Sequence, residues 1–291
     1  MVTRPATITV RPLRAADHPA VLALVTADLL PGQPLPTAAG LAQALTGRSP
    51  IDSRLWAELT DLRHHVAVDD LGQVRGVIAT GWRARDTTAV VPWMHTGEDT
   101  GLTQVLLDSA LQRYPDSAVE AFGFATALDL GLEALAVTHR AATVAALRAA
   151  GFTGKDLWNY MVLPDQALTA LLATPAPPGT PLIEIEQRRL GWRLLARRAG
   201  QLLGEIEIDH PVQGSARIAW LEVDPDARGA GWGRTLLRAG LDHAYRAGAR
   251  RAVLYVDDDE PGGARDRSAA TALYRRAGFV DVDRLHTFHR G

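Results

Sequence analysis

The chain has 291 residues and a mass of 31.3 kDa, a length that favours two domains at roughly 100–200 residues each. Hydrophobic residues make up 47% and charged residues 22%, the balance of a globular protein with a sizeable core. The 31 basic and 33 acidic side chains nearly cancel, which removes a bulk electrostatic case for nucleic acid or an anionic membrane, and the lack of cysteine excludes disulfides, thiolate metal sites and an enzyme thioester.

No apolar run approaches the 18 or so residues of a membrane span. The opening MVTRPATITVRPLRAAD has no continuous apolar core, so it does not read as a secretory signal, and a cytoplasmic location is the expectation. Ile8–Val10 reads as a strand. Asp17 is a candidate N-cap for a helix through Leu29 or Leu30, and Thr37 opens a second helix. His64–Val68 and Gln73–Thr80 read as a hairpin about Asp69–Gly72. Ala89–Trp93 is a strand, Leu102–Arg113 a helix, Ala118–Phe124 a strand, and Ala141–Ala150 a helix ended by Gly151.

From Pro164 to Pro181 the composition turns proline-rich, with ATPAPPGTP at its core, and reads as a semi-rigid linker. Beyond it, Trp192–Arg197 and Gln201–Ile208 form an expected hairpin, and Arg217–Val223 an apolar strand. The glycine-rich loop DPDARGAGWGR follows. Leu236, Leu237, Leu241 and Ala244 recur with helical period over Thr235–Arg246. Ala252–Val256 is a strand, Ser268–Ala277 a helix with Gly278 as its C′ glycine, and Phe279–His289 suits one or two last strands. An internal duplication supports this order: AALRAAGF (Ala145–Phe152) matches ALYRRAGF (Ala272–Phe279), 127 positions apart.

The loop Arg228-Gly229-Ala230-Gly231-Trp232-Gly233-Arg234 holds most of the chemistry. A loop between strand and helix aims free backbone N–H groups at one spot, with the positive end of the helix dipole behind them. That arrangement suits an anion, above all phosphate, and glycine lets it approach closely. The terminal Gly-Lys-Ser/Thr of a nucleotide-hydrolysing loop is missing, since Arg234 follows Gly233. The dinucleotide pattern GxGxxG fails at Arg234. A plain strand–helix turn is the competing reading.

VDPDARGAGWGRTLL resembles the acetyl-CoA-binding motif of the GCN5-related N-acetyltransferases (GNAT), with Arg228, Gly231 and Gly233 at its fixed places. The family's second motif is matched by VLYVDDD followed by Ala270, Leu273, Tyr274, Gly278 and Phe279. The match covers residues 182–291, and the first half only through the duplication. It implies an α/β (α+β) fold of two tandem GNAT-like domains, each a mixed, largely antiparallel sheet flanked by helices. The expected layout is a degenerate domain at 1–163, a linker at 164–181 and a catalytic domain at 182–291. The tandem arrangement with LYVD most resembles mycothiol synthase-like acetyltransferases, though Arg217 stands where those enzymes lead us to expect a glutamate, and Arg267 where the family often has Asn.

The resemblance implies direct acetyl transfer from acetyl-CoA, as co-substrate, to an amine of a small molecule. Backbone N–H groups of residues 228–233 hold the pyrophosphate, with Arg228 and Arg234 as flanking charges. Leu221 and Val223 line the slot where strand 217–223 splays from strand 252–256, and an N–H near Val223 polarises the thioester oxygen. Tyr274 protonates the leaving thiolate. Glu222 is the first candidate for the general base, with Asp257, Asp258 and Asp259 near the same edge. In the first half Leu147 takes the place of Tyr274, and Glu98 and Asp99 replace the arginine side of the site, where like charge repels a pyrophosphate. That half is expected to wall the acceptor pocket without using acetyl-CoA.

His64-His65 and His286-x-x-His289 lack a third ligand at metal spacing, so no metal is expected. Trp56, Trp82 and Trp93 read as core, whereas Trp232 fits either packing or a cover over the cofactor. Nucleic-acid and membrane partners are not expected. A monomer is compatible with the duplication, since two copies in one chain supply what a dimer would. A non-catalytic acyl-CoA-binding or sensing protein is the alternative.

Overall fold

A computed structural model describes residues 7–174, 183–257 and 267–291. The rest of the expected linker beyond Thr174, together with Asp258, Asp259 and Pro261–Gly263, lies outside the described residues. By contacts the chain divides into two units, residues 1–30, 35–157 and 284–291 forming unit 1 and residues 31–34 and 158–283 forming unit 2.

Unit 1 contains β1 (Thr9–Pro12), α1 (His18–Ala27), α2 (Ala38–Leu45), α3 (Ser53–Ala57), β2 (Leu59–Val68), β3 (Val74–Arg83), β4 (Thr88–Val91), β5 (Met94–His95), α4 (Thr100–Leu111), β6 (Ala118–Ala121), β7 (Leu135–Ala136) and α5 (Ala141–Ala149). β1 to β4 form an antiparallel meander, and β4 then pairs in parallel with β6 across α4. Alternation along the strands divides two cores. Val66 and Val77 face Val21, Val25, Leu41 and Trp56 on one side, while Ala67 and Ile78 face Leu106, Leu107 and Leu147 on the other.

Unit 2 is built from the later part of β8 (Thr153–Leu163), then α6 (Asp165–Ala173), β9 (Ile183–Gln187), β10 (Gly191–Arg198), β11 (Gln201–Asp209), β12 (Ser215–Val223), α7 (Trp232–Arg246), β13 (Arg251–Asp257) and α8 (Ser268–Arg276). β9 to β12 repeat the antiparallel meander, and β12 pairs in parallel with β13 across α7. Leu194, Ile206, Ile218, Leu236, Leu237 and Leu254 fill the core between sheet and helices.

Each unit is completed by a strand from the other half of the sequence. β8 pairs with β13 through residues that count with unit 2, and the last residues of β14 (Val280–Arg290) pair with β6 in unit 1. The six-strand orders β1-β2-β3-β4-β6-β14 and β9-β10-β11-β12-β13-β8 therefore correspond. Both completing strands follow the duplicated Gly-Phe. Gly151 (φ +86°) and Gly278 (φ +98°) end α5 and α8 in the left-handed region. The next amide reaches back five residues in each, Phe152 to Leu147 (3.0 Å) and Phe279 to Tyr274 (3.1 Å), a Schellman closure. Leu147 and Tyr274 thus occupy the same structural position.

Several expectations change. The first ten residues of the presumed linker include α6: Pro164 sits at the N-cap, where a missing N–H costs nothing, and Leu168 is fully buried. Asp17 precedes α1 but makes no side-chain cap there. Its carboxylate is turned to the Arg11 guanidinium (2.7 Å) and the Arg14 amide (2.8 Å). The glycine loop gives way to α7 at Trp232, three residues before the apolar period begins. The C-terminal residues form one strand, Val280–Arg290, within the one or two expected.

Candidate active site

The residues expected to form the site lie in unit 2, where β12 leaves β13. The two strands pair from Ser215 with Arg251 to Ile218 with Leu254, and no farther. Beyond that fork β12 stays bonded to β11, where Asp224 N–H donates to the Leu203 carbonyl (2.9 Å). Successive N–H groups of a strand point to opposite edges. Those of Leu221 and Val223 therefore point to the edge that β13 has left. The side chains of both residues pack against the core.

Asp224 accepts from the Asp226 amide (2.9 Å) and starts the turn Pro225–Ala227 that lifts the chain into the glycine loop. Gly229 (φ +80°) and Gly231 (φ +86°) both adopt the left-handed region, and Gly231 is the N-cap of α7 with no side chain to fill that role. The first bond of the helix is Thr235 N–H to Gly231 C=O (3.1 Å). The N–H groups of residues 229–234 have no acceptor among the described residues. Gly229, Ala230 and the side chains of Arg228 and Arg234 are exposed. Arg228 Nε donates to the Val223 carbonyl at the fork (3.3 Å). Arg234 Nη2 lies 3.9 Å from where Gly231 would carry a β-carbon. Trp232 is half-buried and packs against the core.

Tyr274 is 7% exposed on α8, edge-on to Phe279 at 5.7 Å. Burial pushes its hydroxyl up to about 12, with the positive charge of Arg267 pulling the other way. The group is a proton donor, not a base, at neutral pH. Arg267 Nε stands 3.8 Å from Asp257 Oδ2. Glu222 is exposed on the face of β12 away from the core, cross-strand from Glu205, whose carboxylate is held by Arg193. Leu221, Val223 and the glycine loop meet at the fork, Leu273, the neighbour of Tyr274 on α8, approaches Gly233 there, and Glu222 stands on the opposite face of β12. Arg217 is only 9% exposed and bonds Asp209 Oδ2 through Nε (2.7 Å).

Residues 191–281 match the sequence model described as "Acetyltransferase (GNAT) domain". A tandem GNAT protein from the clavulanic acid biosynthesis pathway is similar in structure, with a TM-score of 0.65, 17% identity and coverage of 97% of this chain and 98% of that one. A GCN5-related N-acetyltransferase from Sphaerobacter thermophilus is similar at TM-score 0.59 and 17% identity, over 97% of this chain and 95% of that one. No curated protein matches the chain. The fold is that of the GNAT acetyltransferases.

The corresponding place in unit 1 is closed by its own side chains. Asp99 caps α4 by accepting from the Leu102 amide (3.0 Å). Glu98 accepts from the amides of Ala142 (2.8 Å) and Thr143 (3.2 Å) at the start of α5 and pairs with Arg140 Nε (2.6 Å). Arg140 is buried and also faces Asp28 (3.2 Å), which bonds His95 Nδ1 (2.9 Å). Burial holds His95 below the ordinary histidine range, against the pull of Asp28. The starts of α4 and α5 thus each give amides to a carboxylate of unit 1 itself, Asp99 for α4 and Glu98 for α5.

Sequence reasoning missed Gln33, Tyr160 and Tyr255, which meet in unit 2. Tyr255 carries a signal, since it is the polar-tipped residue of AVLYV at the position facing away from the core. Gln33 carries none.

Proposed function

We propose that unit 2 moves an acetyl group from acetyl-CoA directly to an amine of a small molecule, and that unit 1 binds no acetyl-CoA. The observation that carries the reading is the run of six backbone N–H groups, residues 229–234, left without an acceptor among the described residues beside a strand fork. Their number exceeds the four that every helix start leaves open, and the dipole of α7 adds positive potential. The residues fit the pyrophosphate of acetyl-CoA, with Arg228 and Arg234 as flanking donors. Acetyl-CoA supplies the activated thioester.

The remaining work belongs to the chain. The fork accepts an extended arm between β12 and β13. The Val223 N–H stands ready to donate to a developing oxyanion. Tyr274 holds a proton for the departing thiolate. Its high pKa keeps it fully protonated, and desolvation raises the thiolate's basicity as well, which lessens the mismatch. Glu222 is the proposed acceptor of the amine proton, directly or through water. Arg217, engaged by Asp209, supports no glutamate-based chemistry of the mycothiol synthase kind.

Calorimetric titration with acetyl-CoA tests this on wild type and Arg228→Glu. One site per chain, weakened at least tenfold in the variant, together with CoA release on adding amines, is the expected result. Absence of binding would leave the glycine loop as a turn and end the acetyl-transfer reading. Binding without turnover of any amine would favour the acyl-CoA sensor.

A further inference from the structure

The segment Pro31–Pro34 lies between α1 and α2 in sequence but belongs to unit 2 by its contacts. Buried polar bonds hold it there. The Tyr160 hydroxyl donates to the Pro31 carbonyl (2.7 Å). The Gln33 side-chain amide, in a residue only 8% exposed, donates to the hydroxyls of Tyr255 (3.0 Å) and Tyr160 (3.4 Å). The two tyrosines are register partners on β13 and β8, with rings stacked at 5.4 Å. Gly32, at φ +87°, brings the backbone so close that a β-carbon there would meet Val253 Cγ1 at 2.8 Å.

The position gives this array its meaning. β12 and β13 part after Ile218 and Leu254, and Tyr255 is the first residue of β13 beyond the fork. Leu254 and Val256 face the core with α7 and α8, so Tyr255 faces the other way. By the same alternation Trp220 and Glu222 of β12 face that side. Trp220 is 48% exposed there. Apolar side chains would pack this surface without the cost of burying an amide and two hydroxyls. The polar set is instead fixed in one geometry at the place where an acceptor must meet the acyl group.

We infer that Gln33 and Tyr255 orient the acceptor by hydrogen-bonding a hydroxyl, carbonyl or carboxamide next to its reacting amine. The substrate class is then a polar-substituted amine, not a plain alkylamine. The inference rests on the acetyl-transfer reading of the same site. A site built to hydrogen-bond a substituent rejects an isostere lacking it, because its own polar groups lose a partner.

The test uses the full chain, acetyl-CoA and size-matched amine pairs, ethanolamine against propylamine and glycinamide against isobutylamine. Wild type should favour the polar member of each pair by about 10-fold or more in kcat/KM. Gln33→Leu and Tyr255→Phe should bring the ratio close to one, mainly by raising KM for the polar amine, with acetyl-CoA affinity unchanged. Gly32→Ala keeps both side chains but displaces the segment, and should do the same. A ratio near one in wild type, or an undiminished ratio in folded variants, overturns the inference and leaves acetyl transfer standing. Failure of wild type to bind acetyl-CoA or to acetylate any of the amines overturns the functional reading, and this inference with it.

Discussion

Gly233 and Leu273 bring the glycine loop and the helix of Tyr274 into contact: a β-carbon on Gly233 would lie 3.2 Å from Leu273 Cδ2 and 3.6 Å from Val223 Cγ2. The start of α7, the end of β12 and α8 thus meet at a residue with no side chain. Gly233→Ala gains up to about 1 kcal/mol of helix propensity. The added methyl forces Leu273 to yield by a few tenths of an ångström, and Tyr274 is the next residue. Melting temperature should hold or rise while kcat falls, since a misplacement of about 1 Å costs up to about 100-fold. Initial rates beside a thermal melt read both. An unchanged kcat would mean that Tyr274 is placed independently of the loop.

Tyr274→Phe removes the proposed proton donor and keeps the ring against Phe279. Acetyl-CoA affinity should stay constant while kcat drops by about 10²–10⁴-fold, the usual span for a positioned acid. The hydroxyl also leaves a mark on stability. Its folded value of about 12 lies above the ordinary 10.0, so between those values the unfolded chain releases a proton that the native chain keeps. Stability therefore loses this contribution as pH rises from about 10 to about 12, and is insensitive to the group below that. Denaturant melts across that window should be shallower in pH dependence for the Phe variant.

Glu98→Ala separates the two units. It leaves Arg140 with Asp28 as its remaining carboxylate partner and strips α5 of its cap, so unit 1 should lose about 1.5–3 kcal/mol, the span for hydrogen bonds to a charged group. Acetyl-CoA titration of the still-folded variant should give the wild-type stoichiometry. A second binding site in that variant would show that Glu98 only masks a competent slot.

The duplication was legible because Gly-Phe recurs at a fixed backbone geometry, the left-handed helix end, which few residues other than glycine adopt. The glycine loop was legible for the same reason. Most elements were found, but α3, β5, β7, β8, α6 and β9 were not. TGKDLWNYMVL mixes strand and loop signals, and the prolines after Thr174 masked the good helix formers of DQALTALLA. The exchange of completing strands was out of reach, since each strand's own pattern is the same whichever sheet it joins. Gln33 was invisible because its role comes from a segment 222 positions away from Tyr255. Asp17 misled because a carboxylate before a helix looks alike whether it caps the helix or binds an arginine.

Arg217 allows the clearest separation of structural from catalytic charge. It is buried against Asp209, with Nε to Oδ2 at 2.7 Å. Taking two charges out of water costs nearly what their attraction returns, so the intact pair adds little net stability. Removing one partner is a different matter. Asp209→Leu strands a guanidinium, and Arg217→Met strands a carboxylate, each at about 3–5 kcal/mol. The double variant strands neither and should be far more stable than the sum of the singles, a coupling that chemical denaturation of all four proteins measures. If the pair only supports the sheet, the double variant should also recover acetyl transfer lost in the singles. A double variant that regains stability but not kcat would instead place Arg217 in contact with the acceptor.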